Sequence, residues 1–102
     1  MIHIIAIVTA LPGQRGAVLR EFQKNLPFVR LERGCIQYEP AIDVEGGPAM
    51  LTRIGPDAFM VIEQWESQDA AQDHATSAHM AAYAGRVSEL LVSRVIYAVC
   101  AI

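Results

Sequence analysis

Residues 2–10 read IHIIAIVTA and are dominated by β-branched side chains, which predicts a strand. Apolar groups fill both alternating sets of positions: Ile2, Ile4, Ala6 and Val8 on one side, and Ile5 and Ile7, with His3 and Thr9, on the other. A strand so patterned is covered on both faces. Leu11-Pro12-Gly13-Gln14 carries turn chemistry. Val18, Leu19, Phe22 and Leu26 then recur at helical spacing and predict a helix over 15–25, ended by Pro27. One more helical turn fits in 28–33 before Gly34. Ile36, Tyr38, Ile42 and Val44 mark a second strand over 35–45, and Pro40 places it at a sheet edge or at a bulge. Residues 46–57 form a loop rich in glycine and proline, with Met50–Arg53 as a candidate extension of the hairpin. In the third strand, 58–66, Phe59, Val61, Glu63 and Trp65 share one face. Ser67 caps a short helix over 68–74, and Ser77 caps another over 78–91, with Met80, Tyr83, Val87 and Leu90/Leu91 as its apolar stripe. Residues 92–101 form the last strand.

The order β-α-β-β-α-β predicts an α+β, ferredoxin-like sandwich: an antiparallel sheet with helices on one face, in a single domain over 1–102. The strand order 4-1-3-2 puts Cys35 and Cys100 at opposite edges, where they cannot bridge within one chain. The strands carry apolar groups on both faces, so the face without helices needs another cover. A second copy of the same sheet supplies it, giving a homodimer through sheet faces.

Composition supports this picture. The chain has 102 residues, 53% hydrophobic and 19% charged, which excludes disorder and leaves more apolar surface than one small domain hides. The net charge is −3 and Lys24 is the single lysine, which argues against a nucleic-acid or anionic-membrane partner. No apolar run is long enough for a membrane span, and Met1–Ala10 lacks the basic flank of a signal peptide. The expectation is a cytoplasmic protein with two reduced cysteines. His74 and His79 are five residues apart, not at the spacing of a helical metal pair, and no glycine-rich phosphate loop follows a strand. No metal and no cofactor are therefore expected.

The chemistry-bearing residues gather in the second half. Imidazoles titrate near neutrality and can take a proton from a phenol, so His74 and His79 are candidate bases, with helix-junction capping as the alternative role. Glu63 sits among apolar neighbours, where a carboxyl group is readily tuned for acid–base work; a salt bridge to Arg86 or Arg94 is the competing reading. Trp65 is a core residue or a wall that stacks on an aromatic ligand. Tyr83 lies one turn after His79 and can share its face. Tyr38 and Phe22 are candidate wall residues, and Arg86 is a candidate anion contact. His3, alone on its strand, reads as a core or dimer residue.

The segment ERGCIQYEP (32–40), the strand end VIEQWES (61–67) and the stretch DAAQDHATSAHMAAYAGRV (69–87) together resemble the antibiotic biosynthesis monooxygenase domain family, and within it the small bacterial quinol monooxygenases. The resemblance implies a dimeric α/β barrel. It also implies oxygenation of a quinol or polycyclic phenol by molecular oxygen without metal, heme or flavin. The implied site lies in a pocket between the sheet and the helices; it would use His79, His74 and Glu63 catalytically and hold substrate with Trp65, Tyr83, Phe22, Tyr38 and Arg86. Heme-degrading relatives place an asparagine, a tryptophan and a histidine where this chain has Ala6 or Ile7, His74 and about Ala84, so heme cleavage is not expected. Two alternatives stay open: an isomerase of the same fold, which needs a cation such as Arg86 for phosphate, and a non-catalytic dimeric ligand-binding module. The loop 46–57 is a lid or a dimer contact on these readings.

Overall fold

The computed structural model describes residues 1–102. Its elements are β1 (Ile2–Ala10), α1 (Arg15–Arg30), β2 (Cys35–Ala41), β3 (Ala58–Trp65), α2 (Gln68–Ala75), α3 (Ala78–Val87), a 3₁₀ turn (Ser88–Leu90) and β4 (Leu91–Val99). The strands form one sheet in the order β2-β3-β1-β4, and every neighbouring pair is antiparallel. This is the ferredoxin-like α+β sandwich that the alternation of elements predicts. Cys35 and Cys100 are both free; Cys35 opens β2 and Cys100 directly follows β4, and these two strands are opposite edges of the sheet.

Register decides which side chains meet. Ile4 pairs with Glu63, Ala6 with Val61 and Val8 with Phe59 across β1–β3, while Tyr38 pairs with Glu63 across β2–β3. These residues share the face under the helices, where Ala6, Val8, Phe59, Val61, Trp65 and Tyr38 are all buried. The other face carries His3, Ile5, Ile7, Met60, Ile62 and Gln64, none of them buried, continued by exposed Val95, Tyr97 and Val99. No helix is long and apolar enough to cross a membrane.

Several boundaries differ from the sequence expectation. Helix α1 runs through Pro27 to Arg30. Proline removes one hydrogen-bond donor and disfavours a helix interior by about 3 kcal/mol. Here Val18, Phe22, Asn25 and Val29 form one buried stripe, and burial of Val29 holds the last turn in place. Strand β2 stops at Ala41 because the chain then folds back on itself. The Asp43 carboxylate accepts the backbone N–H groups of Ile54 and Gly55, each at 2.9 Å, and the Arg53 guanidinium reaches the Val44 carbonyl. Met50–Arg53 is thus part of a closed loop and adds no strand. Helix α3 ends at Val87 because the chain tightens into the 3₁₀ turn, whose Leu90 carbonyl accepts the Leu11 N–H at 2.8 Å. The two serine caps form as read. Ser67 Oγ accepts from Ala70 N–H at 3.1 Å, and Ser77 Oγ from Met80 N–H at 3.4 Å.

Gly34 fixes how α2 meets the sheet. Its φ of +81° lies in the left-handed region, and a Cβ there would sit 2.6 Å from the Ala70 Cβ. Its carbonyl accepts the Glu66 N–H at 2.9 Å, so the turn before β2 is pinned to the end of β3. That junction carries the site.

Candidate active site

Between the helix-facing side of the sheet and helices α1–α3 lies a cavity of about 490 Å³. Fifteen of its twenty lining residues are hydrophobic, and the polar groups that reach it include Glu63, His74, Tyr38, Tyr83 and Arg94. Small-molecule sites occupy roughly 300–1,000 Å³ and combine apolar walls with a few convergent polar groups, as here. Phe22 is also on the wall, stacked on Tyr38 at 5.4 Å and edge-on to Tyr83 at 6.0 Å.

Glu63 reaches the cavity from the middle of the sheet. Its Oε1 accepts a hydrogen bond from Trp65 Nε1 at 2.9 Å, and it forms no salt bridge to Arg86 or Arg94. Burial pushes its carboxyl group up to about 7, against the lowering effect of the Trp65 hydrogen bond. Burial likewise raises Tyr83 to about 12 and pushes Tyr38 above the ordinary phenol range, so both phenols stay protonated donors.

His74 comes from the last turn of α2, where its carbonyl accepts the Ser77 hydroxyl at 2.8 Å. Its ring stacks on Trp65 with centroids 4.7 Å apart and meets Tyr38 edge-on at 5.1 Å. Its Nδ1 lies 2.9 Å from Glu32 Oε2. Burial lowers its pKa, opposed by the Glu32 carboxylate, so near neutral pH the ring is neutral and a proton acceptor.

The other residues singled out from sequence occupy different places. Trp65 is fully buried behind His74 and does not line the cavity. His79 is half-buried on α3, also off the cavity wall, with Nδ1 3.3 Å from Asn25 Oδ1 and Nε2 against Glu32 Oε1. Arg86 points to the surface, where it pairs with Glu21 at 3.0 Å. Arg94, on exposed β4, is the arginine on the cavity wall. His3 sits on the opposite sheet face, where its Nδ1 lies 3.4 Å from Gln64 Nε2.

Two members of the cluster escaped the sequence reading. Asn25 occupies a position in the apolar stripe of α1, so a polar residue at helical spacing among Val18, Phe22 and Val29 was the available signal. Glu32 lies between Arg30 and Arg33 just past the helix and reads locally as a solvated charge. Only the fold brings it to both histidines.

Residues 1–86 match the antibiotic biosynthesis monooxygenase family. Over 89 residues the chain is 39% identical to the "Probable quinol monooxygenase YgiN" of Escherichia coli K12, covering 85% of each chain, and equally to its counterpart in Shigella flexneri. Among solved structures, PA3566 from Pseudomonas aeruginosa superposes with a TM-score of 0.81 at 27% identity, covering 99% of this chain and 93% of that one. Rv0793 from Mycobacterium tuberculosis shares the fold, with a TM-score of 0.80 at 22% identity over 99% and 94% of the two chains. Sequence match, fold and the cavity between sheet and helices agree: the chain belongs to the antibiotic biosynthesis monooxygenase family.

Proposed function

We propose that this monooxygenase-family chain oxidises a quinol or polycyclic phenol with molecular oxygen, without a cofactor, in the cavity between sheet and helices. The observation that carries this reading is the convergence of His74 and Glu63 on one apolar cavity walled by Phe22, Tyr38 and Tyr83. A planar aromatic ring lies against those rings, and its phenolic oxygen is held by the Tyr83 hydroxyl. His74 Nε2 accepts the phenolic proton, and the resulting electron-rich anion reacts with oxygen. Glu63, with its carboxyl group near 7, is partly protonated at neutral pH and returns a proton to the oxygen atom that leaves as water. The overall change balances without another reductant: quinol plus O₂ gives hydroxyquinone plus water. One oxygen atom enters the ring, and the substrate supplies all four electrons.

The role assigned to His79 differs from that of His74. Both of its ring nitrogens face acceptors within the protein, so it supports the base and does not take the substrate proton. The isomerase alternative draws no support from Arg86, which is occupied by Glu21.

Oxygen uptake with a naphthohydroquinone such as menadiol tests the proposal. Wild-type protein should accelerate uptake above autoxidation. His74→Ala should lower kcat by roughly 10²–10⁴-fold, the weight of acid–base catalysis, with a smaller effect on KM. No acceleration by the wild type, or a native rate in the variant, contradicts it.

A further inference from the structure

One carboxylate holds imidazoles from two different helices. Glu32 Oε2 lies 2.9 Å from His74 Nδ1 on α2, and Oε1 contacts His79 Nε2 on α3. The mount is rigid. The Glu32 N–H donates to the Val29 carbonyl at 3.0 Å, and its own carbonyl accepts the Cys35 N–H at 3.2 Å. Both carboxylate oxygens are thus engaged, Oε1 by His79 and Oε2 by His74.

An ionised carboxylate only accepts hydrogen bonds, so His74 Nδ1 must carry the hydrogen. The lone pair of the neutral ring is then on Nε2. That atom makes no hydrogen bond within the chain and yet is not sealed off, since no buried side-chain nitrogen lacks a partner. The groups that face the ring are Glu32 from the α1–β2 turn, Tyr38 from β2, Trp65 from β3 and His79 from α3; Glu63 lines the same cavity. None of them competes with Glu32 for Nδ1.

We propose that Glu32 is a positioning residue that fixes His74 in the Nδ1–H tautomer and so presents Nε2 to the cavity as the proton acceptor. This rests on the reading of His74 as the base.

Nitrogen-15 spectra of the histidine rings, on the full-length protein and assigned with His74→Ala and His79→Ala, read the tautomer directly. The wild type should show His74 protonated on Nδ1. Glu32→Gln can turn an N–H toward Nδ1, so its His74 should populate the Nε2–H form. Its quinol kcat should fall by roughly 10–100-fold, the usual effect of losing a supporting partner, with KM little changed. In the His74→Ala background the same substitution should add no further loss. A wild-type His74 protonated on Nε2, an unaltered tautomer in Glu32→Gln, or a full loss that persists without His74 would each overturn the proposal. If Glu32→Gln does not fold, the wild-type spectrum alone decides. A wild type with no quinol turnover defeats the functional reading, while the spectra still decide the role of Glu32.

Discussion

Glu63 and Trp65 lie two residues apart on one strand, face the same side, and share a hydrogen bond of 2.9 Å inside the core. That neighbourhood makes stability depend on pH in an unusual direction for a carboxyl group. Its folded-state value of about 7 lies above the ordinary 4.5, so between those values the native state keeps a proton that the unfolded chain has lost. The stabilisation is complete below about 4.5 and is lost as the pH rises to about 7. Glu63→Gln cannot ionise and keeps an acceptor for Trp65. Urea denaturation should therefore show the variant gaining on the wild type from pH 5 to pH 8, by an amount on the order of 2–3 kcal/mol. Parallel pH profiles would mean that Glu63 is solvated. At this scale the pattern of residues exposed Glu63 and His74, because a charge on an apolar strand face and an imidazole beside a cap stand out locally. Glu32 and Asn25 did not, because their role arises from contacts that α1 and the turn after it make with two helices more than forty residues later.

The elements owe their placement to a few local devices, of which Gly34 is the most demanding. Gly34→Ala combines a left-handed φ with a Cβ 2.6 Å from Ala70. It should destabilise the protein by about 2–5 kcal/mol, the sum of a left-handed penalty and overpacking. A urea midpoint near that of the wild type would show that α2 can shift away from the turn. The same variant should also lower quinol turnover, since the turn carries Glu32 and α2 carries His74. Strand alternation and the serines at 67 and 77 made the strands and the two later helices legible. The continuation of α1 past Pro27 was not legible, because burial of Val29 against the sheet overrides a local rule. The end of α3 was missed for a similar reason: a backbone hydrogen bond from Leu11, distant in sequence, draws Leu90 into the 3₁₀ turn.

For the whole molecule, the uncovered sheet face is the dominant feature. Ile5, Ile7, Met60 and Ile62 are not buried, and Val95, Tyr97 and Val99 are each about half exposed in the single chain, at 45%, 55% and 51%. Exposed apolar faces of this size are a common feature of association surfaces, and a second copy of the sheet is the cover the strand pattern predicts here. Sedimentation equilibrium at micromolar concentration should give twice the chain mass of 11.2 kDa, and Val95→Glu should shift it toward a single chain. A monomeric wild type would leave that face without its proposed cover. The two-sided apolar strands made this surface legible, and so was a pocket between sheet and helices; its full lining was not, because the walls come from all three helices and the sheet together and leave Trp65 and His79 behind them. The cavity is where the proposed chemistry is most directly tested, by mass spectrometry of the product formed from a quinol under ¹⁸O₂. A monooxygenase that draws all its electrons from substrate places one labelled atom in a hydroxyquinone and releases the other as labelled water. An unlabelled quinone accompanied by hydrogen peroxide would contradict the account.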